Sequence, residues 1–322
     1  MPVLAVAVGG CDGFVDDAFT PELVVSASVG VGEPLPVLSL SETSPLLEVY
    51  DPAVVAVSGA TVTVTLLAAD GSDAQVYAYG PAGGPGLYAP LDTTILGLPD
   101  RTYRLDVRDG DRALTATTTV PPALSLVQGP GAETVYGTGQ GPELVITRTS
   151  TAARQSAFVA STRALAAVPF VEVPGAEPGD DPRYRSVPTV GTFGLTPTYE
   201  RFLGCDPAED DPAAVVCDFD PRENALTGTS PVINEAGYVD RGDGTVLVQV
   251  PYLAVGFYGP VRISLVSVDQ ALEDFVESQA IQGGGSTLSP GEIPNVTTNV
   301  AGGRGVFGAY ARVTAETTLT GF

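Results

Sequence analysis

GGGSTLSPGEIPNVTTNVAGGRGVFGAY, residues Gly283 to Tyr310, is too rich in glycine for a helix and too apolar for a free linker. Its large side chains, Leu288, Ile293, Val296, Val300, Val306, Phe307 and Tyr310, are scattered among Gly and Pro. Burying them requires irregular backbone pressed onto a scaffold built by the preceding residues. Gly302, Gly303, Gly305 and Gly308 are spaced so that Val306, Phe307 and Tyr310 can lie against a second domain while the backbone turns through angles closed to other residues. The expectation is a buried structural closure made by Gly302, Gly303, Gly305, Phe307, Gly308 and Tyr310, with the second half of the chain organised around it. The alternative is an exposed Gly-rich loop that docks on a partner. Burial is favoured, because an uncovered Phe-Gly-Ala-Tyr run beside β-branched residues is an aggregation hazard.

Upstream of that stretch the chain reads as strands. LVVSASVGVGE, PVLSLSE, ATVTVTLLAADG, AQVYAYG and TYRLDVRDGDRALTATTTV, between Leu23 and Pro122, carry β-branched and aromatic residues, several in strict alternation with polar ones. Asp70-Gly71 and Asp109-Gly110 mark hairpin turns. Tyr103 stands at the start of a late strand, as in a tyrosine corner. The pattern resembles the prealbumin-like and immunoglobulin-like sandwiches of exported bacterial proteins. After Pro121-Pro122 a Gly-rich linker, residues 123–142, leads to ELVITRTS, SAFVASTRAL, the hairpin GYVDRGDGTVLVQV with Asp243-Gly244 at its turn, and VRISLVSV. DQALEDFVESQAIQ is the one convincing helix, with Asp269 as N-cap and Leu272, Phe275, Val276 and Ala280 on one face. The fold expected is therefore mainly β: a prealbumin- or immunoglobulin-like β-sandwich over residues 23–122, then a second β-rich domain over 143–322 with one short helix.

Composition narrows the function. The 28 Pro and 38 Gly are spread between short apolar runs, which is the punctuation of many strands and turns. The net charge of -23 repels phosphate backbones and anionic lipid, so no nucleic-acid partner is expected. Every basic residue is Arg. Acidity without Lys fits adaptation to a salty environment and fits a GC-rich genome equally. The absence of His removes the commonest general base, the Ser-His-Asp triad and nearly all catalytic zinc sites. Paired carboxylates of the glycosidase kind remain, but a chain without Trp lacks the usual sugar platform. No catalytic residue, metal site or cofactor is assigned, and the protein is read as a non-enzyme.

The three cysteines separate by context. Cys11 closes VLAVAVGGC, an apolar run ending in small residues, which resembles a bacterial lipobox whose Cys is acylated. Residues 1–11 are then a lipoprotein signal remnant and 12–22, DGFVDDAFTPE, an acidic tether. The rival reading is a buried strand with an ordinary Cys. Cys205 and Cys217 then pair evenly, and a bridge across so short a loop stabilises by roughly 3 kcal/mol. The acids between and beside them, Asp206, Glu209, Asp210, Asp211 and Asp218, offer calcium ligands instead, but adjacent prolines make the convergent geometry doubtful. Arg241-Gly242-Asp243 invites an adhesion reading that the turn itself explains.

FYGPVRISLVSVDQALEDFV followed by the Gly-rich segment resembles the C-terminal signature of the bacterial lipoprotein family known as domain of unknown function DUF4249. Its N-x-x-G-G-x-G-x-F-G-A-Y-like ending is matched by Asn299, Gly302, Gly303, Gly305, Phe307, Gly308, Ala309 and Tyr310. The lipobox, SGATVTV and TYRLDV fit the same family, while residues 168–224 match it poorly. The resemblance implies an outer-membrane, lipid-anchored, surface-facing protein, of a kind commonly encoded beside TonB-dependent receptors. An accessory role in nutrient capture or uptake is thus the expectation, with a TonB-dependent receptor as partner. A structural or adhesive surface protein is the alternative.

Overall fold

The computed structural model describes residues 19–45, 48–135, 141–148, 150–151, 154–155, 157–165, 227–251, 254–255, 259–284 and 296–320. Cys11, Cys205, Cys217, the acids from Asp206 to Asp218, and Leu288 and Ile293 of the Gly-rich stretch lie outside these residues, so the expectations placed on them are not addressed by the fold.

The alternating runs fold as strands where the pattern places them. In the first half these are β1 (Leu23–Gly30), β2 (Leu38–Glu42), β3 (Thr61–Leu67), β4 (Asp73–Pro81), β5 (Leu87–Pro90), β6 (Thr102–Asp109) and β7 (Arg112–Thr119). Then come β8 (Leu126–Gln128), β9 (Glu133–Val135), β10 (Glu143–Thr147), β11 (Ser150–Thr151), β12 (Arg154–Gln155) and β13 (Ala157–Ala164). The last third holds β14 (Thr227–Thr229), β15 (Tyr238–Asp240), β16 (Thr245–Gln249), β17 (Gly259–Val268), helix α1 (Gln270–Gly284), β18 (Val300–Ala301) and β19 (Arg304–Thr320).

Two cores result. In the first, inward residues of β1, β2 and the start of β19 (Leu23, Val25, Leu38, Leu40, Phe307) meet those of β3, β6 and β7 (Val62, Val64, Leu105, Val107, Leu114). This is a sandwich: one long mixed sheet runs β19-β1-β2-β5-β4-β3-β6-β7-β18 and folds over on itself at β4. Tyr103, fully buried on β6, accepts a hydrogen bond from Leu98 N at 3.0 Å, the corner expected from sequence. In the second core β13, β17 and the far end of β19 (Phe158, Ala160, Ile263, Leu265, Val313, Leu319) pack on the four-stranded sheet β15-β16-β10-β8 through Leu144, Ile146, Val246 and Val248. Phe158 meets Tyr238 edge-on at 5.3 Å. Gly71, Gly110 and Gly244 take positive φ at the three expected hairpin turns.

The stretch read as a linker holds two short strands, β8 pairing with β10 and β9 with β19. The larger difference concerns the Gly-rich segment. From Arg304 it is not irregular but a 17-residue strand, and Phe307 packs in the first core rather than against the second domain. The glycines mislead because here they chiefly admit neighbouring backbone rather than break the strand. β19 pairs in parallel with β1 over Arg304–Tyr310, then antiparallel with β17 over Tyr310–Leu319, so one strand serves both cores.

Candidate functional site

The residues singled out from sequence do come together, at the first half of β19. Gly302, with φ +80°, makes the tight turn from β18, and a Cβ there would stand 2.3 Å from Ala113 O. Gly303 lies equally close to β1, where a Cβ would come within 2.6 Å of Leu23 O. Gly305 combines both constraints: its φ is +104°, and a Cβ would fall 1.9 Å from Val25 O. Gly308 leaves room for the helix, since a Cβ would sit 2.9 Å from Leu272 Cβ. Phe307 is 0% exposed at the centre of the first core.

One edge of this half-strand is β1. The other is closed by side chains. Alternate residues Gly305, Phe307 and Ala309 point their backbone groups to that edge, and each finds a polar side chain. Thr298 Oγ1 donates to Gly305 O at 2.7 Å. Asn299 acts as a surrogate strand: its Oδ1 accepts from Phe307 N at 3.1 Å, and its Nδ2 donates to Phe307 O at 2.8 Å. The same Nδ2 donates to Thr117 O at 3.0 Å, tying β19 to β7. Asp269 completes the row. Its backbone N donates to Ala309 O at 3.0 Å and its Oδ1 accepts from Ala309 N at 3.1 Å.

Asp269 is also the helix N-cap that the sequence indicates, accepting from Leu272 N at 3.0 Å through Oδ1. Its Oδ2 accepts from Thr118 Oγ1 at 2.6 Å. A carboxylate only 8% exposed is thereby held by donors from β7, β19 and α1 together. Leu272, Phe275 and Val276 are half-buried, as expected of one helix face, and the side chain of Ala280 lies outside the described ones. Further along, Ser278 Oγ accepts from Thr297 N at 2.9 Å, fastening the helix to the segment that carries Thr298 and Asn299.

Tyr310 ends the half-strand. Its Oη donates to Glu33 Oε2 at 2.8 Å, while Arg312 Nη2 pairs with Glu33 Oε1 at 2.7 Å. Gly30 makes the space, since a Cβ there would stand 2.9 Å from the Tyr310 ring. Burial, and then the hydrogen bond to Glu33, push the Tyr310 hydroxyl up to about 12. It is a neutral donor at physiological pH, not a base or nucleophile.

The arrangement stitches two sheets and a helix together. Among the described residues no group of three His, Cys, Asp or Glu is placed to hold a metal ion. No described helix is long and apolar enough to cross a membrane. Sequence reasoning named Asn299 without a role, took Asp269 for a cap alone and passed over Thr298. The available signal was a short polar run, Thr-Thr-Asn, directly before the glycine-rich turn that leads into β19.

A β chain of two cores closed by a glycine-lined strand defines the class. The model of the family described as domain of unknown function (DUF4249) matches residues 14–316, and the chain belongs to that family. No curated protein matches it. Among solved structures it is similar to a Salmonella alpha-2-macroglobulin reacted with methylamine, at 13% identity and a TM-score of 0.22, over 93% of this chain and 15% of that one. It is also similar to three N-terminal domains of the bacteriophage RB49 Highly Immunogenic Outer Capsid protein, at 8% identity and a TM-score of 0.20, over 94% and 71% of the two chains. A tetra-tandem repeat from the extending region of a large adhesion protein gives 12% identity and a TM-score of 0.19, over 92% and 49%. Likenesses of this size carry no argument about fold detail or role. The chain spans about a seventh of the length of the macroglobulin it is similar to.

Proposed function

We propose that the protein is a cell-envelope lipoprotein, acylated at Cys11 and held on the outer membrane, acting as a non-enzymatic binding or accessory subunit of a TonB-dependent uptake system. The observation that carries this reading is the position of the family match. It begins at residue 14, two residues beyond Asp12, so the apolar run that ends in Cys11 lies outside the matched residues, which supports reading that run as a leader and attachment point. The polar residues of the Gly-rich ending are committed to backbone hydrogen bonds, so this reading gives that stretch a structural duty and assigns no binding residue to it. Cys205 and Cys217 form a disulfide in this reading, since an exported protein folds under oxidising conditions.

Replacing Cys11 by Ala is expected to release the protein from the membrane fraction; retention contradicts the anchor. Detergent extraction and affinity purification of the native protein is expected to bring a TonB-dependent receptor with it. Intact mass after alkylation without reductant is expected to show Cys205 and Cys217 unmodified. A structural or adhesive surface role is the second reading, motivated by Arg241-Gly242-Asp243 on the exposed β15–β16 turn. Asp243 is exposed, with its Oδ1 accepting from Thr245 N and Oγ1 at 3.0 and 2.6 Å within the turn.

A further inference from the structure

The first sandwich exposes an apolar loop at one end. Between β2 and β3 the chain leaves the sheet at Glu42, whose N donates to Val55 O at 2.9 Å, and returns through Ala56, bridged to Ser41. Asp51 shapes the tip: Ala53 N donates to its Oδ1 at 2.9 Å, and Val54 N and Val55 N donate to its carbonyl at 3.1 and 3.2 Å. On this turn Val54 is 76% exposed, and just before it Val49 is 95% and Tyr50 62% exposed. Val49 and Val54 are the most exposed large hydrophobics among the described residues. A tip that holds β-branched side chains in water marks an interaction surface.

The location says what covers it. Thr43 N donates to Glu22 O at 2.9 Å, and Glu22 N donates to Thr43 Oγ1 at 3.0 Å, so the base of the loop is fastened to the residue just before β1. Glu22, from which the chain runs back toward Cys11 in sequence, therefore sits at the same end of the sandwich as the base of the loop. From Asp12 to Pro21 the chain spans at most roughly 35 Å fully extended. β19, parallel to β1, runs away from this end and carries the second core with it.

We propose that the loop tip at Val49, Tyr50 and Val54 rests in the interface of the lipid bilayer, orienting the first sandwich with the loop toward the membrane and the second core away from it. The proposal rests on acylation of Cys11. The two valines enter the acyl boundary and the Tyr50 hydroxyl stays at headgroup depth, the usual place of an amphipathic ring. Exposed Glu48 and Asp51 keep their charges in water and select a zwitterionic over an anionic surface. Burial of so few side chains would not recruit a free protein, but a tethered loop meets the bilayer at high effective concentration.

The chain has no Trp, so Tyr50→Trp makes a sole reporter. Leu91→Trp is the control. Leu91 is exposed just after β5, and the antiparallel pairing of β5 with β2 puts it toward the opposite end. Each lipidated full-length variant is reconstituted on phosphatidylcholine vesicles, with and without brominated acyl chains, and floated on a gradient. The expected result is co-flotation of both variants, with a blue shift and bromine quenching for Trp at 50 and neither change at 91. Flotation without quenching at 50 overturns the loop contact and leaves the anchor standing. A blue shift only on vesicles containing outer-membrane proteins also overturns it, assigning the loop to a protein partner. Failure to float overturns the anchor and this proposal with it. In a Val49→Asp, Val54→Asp background the quenching at 50 is expected to disappear; its persistence contradicts the roles given to the valines.

Discussion

The two halves of β19 have the same secondary structure and opposite demands on sequence. From Ala311 to Leu319 the strand runs beside β17 through a regular backbone ladder, and its residues need only alternate: Ala311, Val313, Thr317 and Leu319 inward, Arg312, Thr314 and Glu316 outward. From Arg304 to Tyr310 one edge has β1, and the other has Thr298, Asn299 and Asp269 in place of a strand. A backbone partner accepts any side chain. An amide or carboxylate that must reach backbone N–H and C=O needs a particular residue at a particular position, with small residues where neighbours crowd in. The Gly-rich run from Asn299 to Tyr310 lies in the half closed by side chains, where the physical chemistry is least forgiving.

The sharpest way to break this contrast is to enlarge a residue in each half. Gly305→Val places atoms inside the van der Waals radius of Val25 O on a backbone of positive φ, and is expected to abolish cooperative folding, read by circular dichroism and thermal melting. Thr314→Val, on the exposed outer face of the other half, is expected to leave the melt unchanged. Next in size is Phe307→Ala. Removing an aromatic from the centre of the first core is expected to cost about 3 to 5 kcal/mol. That corresponds to a melting temperature lower by roughly 10 °C. A shift of a degree or two would mean that Phe307 serves an interface instead.

Tyr310 gives a pH-dependent contrast. Its hydroxyl is raised from 10.0 to about 12, so it contributes stability that is complete below pH 10 and is lost as pH rises through 12. Tyr310→Phe lacks that contribution and is expected to show a shallower fall in denaturant midpoint between pH 10 and 12, with a lower midpoint at neutral pH. Raised hydroxyls at Tyr77, Tyr79, Tyr103 and Tyr238 leave some alkaline loss in both proteins. An identical alkaline slope would remove Tyr310 from the account. The smallest effect is expected at the surface: Arg304 pairs with Glu22 at 2.6 Å, but both are about half exposed. Arg304→Ala is expected to cost under about 1 kcal/mol and less at high salt.

Much of this was legible from sequence. Strand identity follows from alternation in TVTVTLL and TYRLDV, and hairpin turns follow from Asp-Gly pairs, because both signals are local. The helix and its Asp269 cap were equally local. The burial of Phe307 was also foreseen, but not its core. Glycine in a strand looks the same whether it bends the chain or makes room for a carbonyl from Val25, some 280 residues earlier. The second duty of Asp269, on Ala309 forty residues later, is likewise visible only once the helix is docked. Long-range contacts of this kind leave no periodicity to read.

Asn299 stands in for a strand, and amide hydrogen exchange at Phe307 is the measurement that bears on this most closely. In the native protein the Phe307 amide, bonded to Asn299 Oδ1, should be protected to a degree comparable with Val313 in the other half. In Asn299→Ala, Phe307 should exchange roughly tenfold faster or more, as befits a lost buried hydrogen bond of about 1 to 3 kcal/mol. Val313 should keep its rate. A Phe307 amide that exchanges equally slowly with and without Asn299, or that is already unprotected in the native protein, would contradict the account.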